Sequence, residues 1–182
     1  MSASAAVDTA LAGSELIVVP DGEAAAMAAA ARIADRLALA VAARGRADFA
    51  TTGGSTPVEI YPHLAAAPLR DEVPWRGVHV WWGDDRFVPR DHPFSNVRPV
   101  DDILINVPAR SGMSGTGADA SDIRGGREPG VVIPVGNIHP FPCTAALARG
   151  RGSDWCAAAY ADELRAELPT ADGWPMFDLV LL

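Results

Sequence analysis

Residues 51–59 read TTGGSTPVE. Two glycines, Gly53 and Gly54, run directly into Ser55, Thr56, Pro57 and Glu59. Thr56 and Glu59 have the spacing of a capping box, and Pro57 then stands at the first helical position, where proline is favoured. Upstream, ADFATT (residues 47–52) is short, partly apolar and β-branched at its end, which predicts a buried strand. The unit expected is therefore strand, glycine turn, helix N-terminus. It directs unpaired backbone N–H groups and the positive end of a helix dipole at one spot, where an anion is stabilised. An ordinary tight turn with a good cap has the same composition. The spacing matches neither G-x-G-x-x-G nor the Walker pattern, so a nucleotide is not implied.

Outward from this unit the chain alternates strand and helix signals. ELIVV (15–19) reads as a short strand ended by Pro20, and Asp21 as the cap of a long helix reaching about Ala43. Met27, Ala30, Ala31, Ala34, Leu37, Leu39 and Val41 are its expected apolar side, and Gly45 its terminator. A second helix is expected from Pro57 towards Ala67. VHVWW (78–82) reads as the next strand, GDDRFVP as a loop, and Pro99 to Ile105 as a helix with Asp101 and Asp102 in its first turn. Residues 108–130 are rich in Gly, Ser, Pro and Arg without an apolar period and read as a flexible surface insertion. WCAAAYADELRAEL (155–168) predicts an amphipathic helix, and FDLVLL (177–182) a buried strand. Such alternation predicts one α/β domain over residues 1–182: a three-layer, Rossmann-like fold with a mainly parallel sheet and helices on both faces. With nothing after FDLVLL to cover it, the fold is expected to be incomplete at the C-terminus, a fragment of a longer protein.

The 182 residues are 49% hydrophobic, sufficient for a real core, and carry a net charge of −8. So acidic a chain is a poor partner for nucleic acid or an anionic membrane through bulk charge. All fifteen basic residues are arginine. The chain therefore holds no P-loop lysine, Schiff-base lysine or pyridoxal-phosphate anchor. Cys143 and Cys156 lack metal-ligand spacing and read as reduced thiols of a cytosolic protein. No metal site is expected. MSASAAVDTALAG has no basic region followed by an unbroken apolar one, and the alanine-rich run from Ala24 to Ala43 is interrupted by Arg32, Asp35 and Arg36. Neither a signal peptide nor a membrane span is predicted, so the expected location is cytoplasmic.

The second candidate site is Trp82-Gly83-Asp84-Asp85-Arg86, at the end of a predicted central strand. Asp84 and Asp85 beside Arg86 are suited to orienting a polyol and holding a phosphate, because arginine contacts such oxygens bidentately. A solvated turn with a local ion pair is the alternative. Ser95 and Asn96, just before a helix, offer further polar donors or a helix cap. His63, His79, His92 and His139 have no base–nucleophile context and are given no catalytic role.

TTGGSTP, WWGDDRFVPRDHPFSN and NIHPFP together resemble the 6-phosphogluconolactonases of the pentose phosphate pathway, over about Glu15 to Leu182. The resemblance implies hydrolysis of 6-phosphoglucono-δ-lactone to 6-phosphogluconate, without a cofactor, with the sugar-phosphate lactone as the small-molecule partner. It implies that Gly53, Gly54, Ser55 and Thr56 form the substrate loop, with Ser95 and Asn96 nearby. Asp84, the candidate catalytic carboxylate, and Arg86 would face the sugar phosphate. The family's Asp-Glu-Arg is Asp84-Asp85-Arg86 here, Pro99 stands inside the following helix, and residues 108–130 resemble an insertion. The family's G-x-D-G-H motif, whose histidine serves as general base, is expected beyond Leu182. Glucosamine-6-phosphate deaminases are the enzyme alternative, although they carry Asp-Glu-Tyr where this chain has Arg86. A non-catalytic sugar-phosphate-binding domain is the other.

Overall fold

A computed structural model of the protein describes residues 15–105 and 130–182. The insertion expected over 108–130 lies outside the described residues apart from Gly130.

The first helix, α1 (Gly22–Arg44), begins and ends on local signals. The Asp21 carboxylate accepts a hydrogen bond of 2.8 Å from Ala24 N, satisfying one of the orphan amides of the first turn. Gly45, at φ 76°, closes the helix in the left-handed conformation that glycine adopts without strain. Its buried face is Ala26, Ala30, Ile33, Ala34 and Leu37. Met27, Ala31 and Leu39, expected on that face, are exposed, and Ile33 takes their place. The small alanines let α1 lie close on the sheet and on the second helix, so the seam follows side-chain size rather than hydropathy.

Two five-residue strands form the centre, β1 (Ala47–Thr51) and β2 (Val78–Trp82), paired in parallel from Ala47↔Val78 to Thr51↔Trp82. Between them runs α2 (Ser55–Ala65), then a single turn, α3 (Leu69–Glu72). After β2 come a loop, the short helix α4 (Val97–Pro99) and a π-helical segment, Val100–Ile105. Helical structure thus starts two residues earlier than expected. Pro99 sits in its first turn, where a missing N–H costs nothing. Beyond residue 130 follow β3 (Ile138–His139), α5 (Cys143–Ala148) and α6 (Ser153–Glu167). A small antiparallel hairpin, β4 (Thr170–Ala171) with β5 (Trp174–Pro175), precedes β6 (Leu179–Val180).

The main sheet has the order β3-β2-β1-β6 and every pairing in it is parallel. Successive strand residues alternate between its faces. Phe49, Val80 and Trp82 pack with α1, α2 and the 97–105 helix, whereas Ala50 and Trp81 pack with Tyr160 and Leu168 around α6. The predicted three-layer, Rossmann-like α/β architecture is therefore the one found. From β1 the chain moves outward through β2 to β3, then returns to β1's other side as β6. Such a reversal of strand order opens a crevice beyond the carboxyl ends of the strands, the usual place for a ligand in an open α/β sheet.

Two strand expectations are corrected. ELIVV (15–19) forms no ladder, and Leu16 and Val18 are 69% and 83% exposed. Among the described residues no strand pairs with its apolar run, and hydropathy alone creates no partner. FDLVLL contributes only Leu179–Val180 to the sheet, and Val180 and Leu182 are exposed rather than buried. No helix among the described residues is long and apolar enough to cross a membrane.

Candidate functional site

The loops leaving β1 and β2 meet at the carboxyl edge of the sheet. Gly83 N donates to Thr51 O at 2.8 Å, extending the ladder one step past the strands. From there Thr52 Oγ1 donates to Asp84 Oδ1 at 2.9 Å, joining the glycine loop to the acidic loop.

Asn96 is the hub between them. Its Nδ2 donates to the Asp84 backbone oxygen (2.9 Å) and to Asp84 Oδ1 (3.1 Å). Its Oδ1 accepts from Arg86 Nη1 at 3.3 Å, and its backbone oxygen accepts from Trp82 Nε1 at 3.0 Å. Gly53 packs directly on this side chain: a Cβ at position 53 would lie 2.0 to 2.6 Å from the amide atoms of Asn96. Only glycine leaves room there. Gly54 is required for a different reason, since its φ of 104° is strained for any L side chain although the space around it is open.

Asp85 organises the loop from inside. Its Oδ1 accepts from Arg86 N (2.8 Å) and Asn96 N (2.7 Å), and its Oδ2 from Ser95 Oγ (3.2 Å). Ser95 Oγ in turn accepts from Val97 N at 3.2 Å. Both residues are buried and bonded into the turn. Ser95 Oγ holds the first amide of α4, whereas Asn96 occupies the N-cap position without a side-chain cap and turns its amide to Asp84 and Arg86. Arg86 is left outward. Its side chain is 58% exposed and reaches Asp84 Oδ2 at 3.2 Å.

The helix start differs from the expected capping box. Gly54 is the N-cap of α2 and no side chain caps it. Ser55, Thr56 and Pro57 are the first three helical residues, so Thr56 lies two positions too far in to cap, and Glu59 has no box to close. The consequence favours a ligand: the amides of Ser55 and Thr56 open a helix whose first turn no side chain satisfies. Both residues are exposed. Thr52, Gly53, Asp84, Arg86 and Asn96 are thus brought together, with Gly54, Ser55 and Thr56 on the adjoining helix start.

Behind the site, Tyr160 of α6 pins the end of β2. Its hydroxyl accepts from Trp82 N and donates to Trp82 O, both at 3.0 Å, where β3 has already ended. Burial pushes the Tyr160 pKa up, which keeps the hydroxyl a donor. Thr51 Oγ1 and Tyr61 OH, 2.9 Å apart and buried, tie β1 to α2 in the same way. Arg90 grips Asp101 through two bonds of 2.7 and 2.6 Å and fastens the acidic loop to the 97–105 helix. Thr52, Tyr160 and the Arg90–Asp101 clamp were not singled out from sequence, and each depends on a contact between distant positions.

The glucosamine-6-phosphate isomerase/6-phosphogluconolactonase family model matches residues 20–182. The chain belongs to that family. A 6-phosphogluconolactonase from Synechocystis sp. is 35% identical over 151 residues, covering 82% of this chain and 50% of its own length. One from Streptomyces coelicolor is 33% identical over 172 residues, covering 92% of this chain and 56% of its own. The chain therefore spans about half the length of the curated relatives it matches. A solved 6-phosphogluconolactonase from Trypanosoma brucei superposes with a TM-score of 0.65 at 22% identity, over 90% of this chain and 57% of that one, and shares the fold.

Proposed function

We propose that this chain carries the sugar-phosphate-binding half of a cytoplasmic 6-phosphogluconolactonase. The observation that carries the reading is the exposed Arg86 guanidinium beside the uncapped N-terminus of α2. A phosphate there meets a fixed cation and the open amides of a helix start, in a protein whose net charge of −8 otherwise repels it. Gly53 and Gly54 keep Cβ atoms out of its path. Asp84 is the carboxylate proposed to face the reacting sugar, oriented by Thr52 and Asn96. Ser95, Asn96 and Asp85 position Arg86 and Asp84 and do not themselves hold the phosphate.

In the reaction, water adds to the lactone carbonyl, a base takes its proton, and the ring oxygen leaves as a hydroxyl group. None of the four histidines is assigned as that base. His79 and His139 are bonded to each other on the far face, His63 lies 3.4 Å from Glu23, and His92 accepts from Phe94 N. Since β6 runs parallel beside β1, chain continuing from Leu182 would leave the sheet at the same edge as Gly53. There the G-x-D-G-H histidine of the family resemblance would be placed to act.

Calorimetric titration of the chain with 6-phosphogluconate and with gluconate tests the reading. Binding of the phosphorylated ligand at least tenfold tighter is expected, and equal affinity for the two would overturn it.

A further inference from the structure

We propose that Cys143 and Cys156 form a reversible dithiol–disulfide site directly behind the Asp84–Arg86 turn. Cys143 opens α5 and Cys156 lies in the first turn of α6, and the two are joined through Gly150 and Gly152. Their sulfurs are 3.5 Å apart and buried, with Phe87, Phe141 and Trp155 packed against them. Closing to a bond of about 2 Å needs a movement of about 1.5 Å, shared between two helices that meet across a glycine-containing turn.

The pair also touches the loop. Cys143 Sγ donates to the backbone oxygen of Arg86 at 3.7 Å. Burial, with the neighbouring Cys156 sulfur second, pushes the Cys143 thiol up to about 12, so Cys143 rests as the protonated thiol.

Hydrogen peroxide is the co-reactant. One thiol gives up its proton and its sulfur attacks a peroxide oxygen, breaking the O–O bond. A sulfenic acid forms, and the departing hydroxide takes up that proton as water. The other sulfur then displaces that hydroxyl as a second water and closes the S–S bond. Two thiols lose two electrons, and the peroxide becomes two waters. Cys143 thereby loses the S–H that it gives to Arg86 O, and the turn presenting Asp84 and Arg86 loses a tether. The effect on ligand binding rests on the proposed function, whereas the crosslink does not.

The test is the intact mass of the chain after treatment with peroxide, unfolding in guanidinium and alkylation with N-ethylmaleimide. A loss of about 2 Da is expected, with no maleimide taken up and two taken up after dithiothreitol. Cys143→Ser and Cys156→Ser should each abolish that loss. Oxygen added to a single sulfur, or two maleimides still taken up after peroxide, would overturn the site. Affinity for 6-phosphogluconate should fall severalfold on oxidation and return with dithiothreitol. A crosslink with unchanged affinity would overturn the coupling to the loop. A reduced chain that does not bind 6-phosphogluconate would instead refute the proposed function and leave the mass result standing.

Discussion

The loops beyond β1 and β2 and the sheet face beneath α6 are built from the same residue types, carboxylates beside arginines with aromatic support. Beneath α6, Asp48 is fully buried, accepts from Arg46 and from Trp81 Nε1, and leaves no lone pair facing solvent. His79, His139 and Glu163 continue that face as a chain of bonds of 3.0 and 2.8 Å, with Trp81 stacked on His139 at 3.8 Å. At the loop edge, the half-buried Asp85 and the buried Ser95 and Asn96 are likewise bonded to one another, but they hold up an arginine that is 58% exposed. A perturbed or charged cluster is thus a candidate site only when its internal bonds leave a group outward. By that criterion the acidic loop qualifies and the histidine chain does not.

Substitutions should separate the two regions, and the largest effect belongs to the buried one. Asp48→Ala strips the acceptor from Trp81 Nε1 and leaves Arg46 without its partner. Removing one member of a buried pair costs about 3–5 kcal/mol; with Arg46 still partly solvated, a loss of about 3 kcal/mol is expected. Urea unfolding should show a lower midpoint with an unchanged slope. Sugar-phosphate affinity of the folded fraction should be unaffected. Asp48→Asn, which keeps an oxygen for Trp81, should cost less.

Arg86→Ala should do the reverse. Its exposed pair with Asp84 contributes little to stability, so the unfolding midpoint should hardly move. Loss of a charge-assisted contact to phosphate is worth about 1.5–3 kcal/mol, or roughly ten- to hundredfold in affinity for 6-phosphogluconate. Affinity for gluconate should change far less. If both ligands weakened equally, the arginine would be a general support of the loop.

The glycines divide the effect between crowding and strain. Gly53→Ala drives a methyl group into Asn96, which is held by hydrogen bonds of its own, so stability should fall by about 1–3 kcal/mol and binding with it. Gly54→Ala meets no atom but must hold a φ of 104°, which is expected to cost about 1–2 kcal/mol. Raising the volume further at position 54, with Gly54→Val, should add little to stability loss. A Gly53→Ala protein as stable and as tight-binding as the parent would break the claim that Asn96 is the hub.

Legibility in the sequence followed the range of the interactions. The ends of α1 were readable because Asp21 and Gly45 act on amides and carbonyls within four residues. β1, β2 and α6 were readable from their own periodicity or apolar runs. ELIVV failed because a strand needs a neighbour, and nothing in its five residues states whether one exists. β3 was missed at two residues, too short for any period. The glycine turn and the Asp84–Arg86 loop could each be proposed from local chemistry. Their bond through Thr52 and Asp84 spans 32 positions, and the histidine chain spans 60 from His79 to His139; neither separation leaves a trace in local pattern.

The smallest effect tests the histidine chain through pH. His139 Nδ1 faces the Glu163 carboxylate, so it carries the proton of that bond. Its Nε2 then accepts from His79 Nδ1–H when both rings are neutral. His79 is half-buried, and burial first, then the positive Arg46, holds its pKa below the usual value of 6.5. The Asp48 and Glu167 carboxylates oppose that lowering, and His139 adds to it. Below about pH 6.5 the unfolded chain therefore takes up this proton more readily than the folded one. The stability contributed by the neutral ring is present above that pH and is lost as pH falls through the folded value. For one group the slope cannot exceed about 1.4 kcal/mol per pH unit. Urea unfolding between pH 7.5 and 5 should show this decline in the parent and in Arg86→Ala alike, and a flatter curve in His79→Gln. Carboxylates that titrate over the same range cancel in the difference between the curves. Parallel curves for the parent and His79→Gln would mean that the chain of bonds stores no pH dependence. The face beneath α6 would then differ from the loop edge in burial alone.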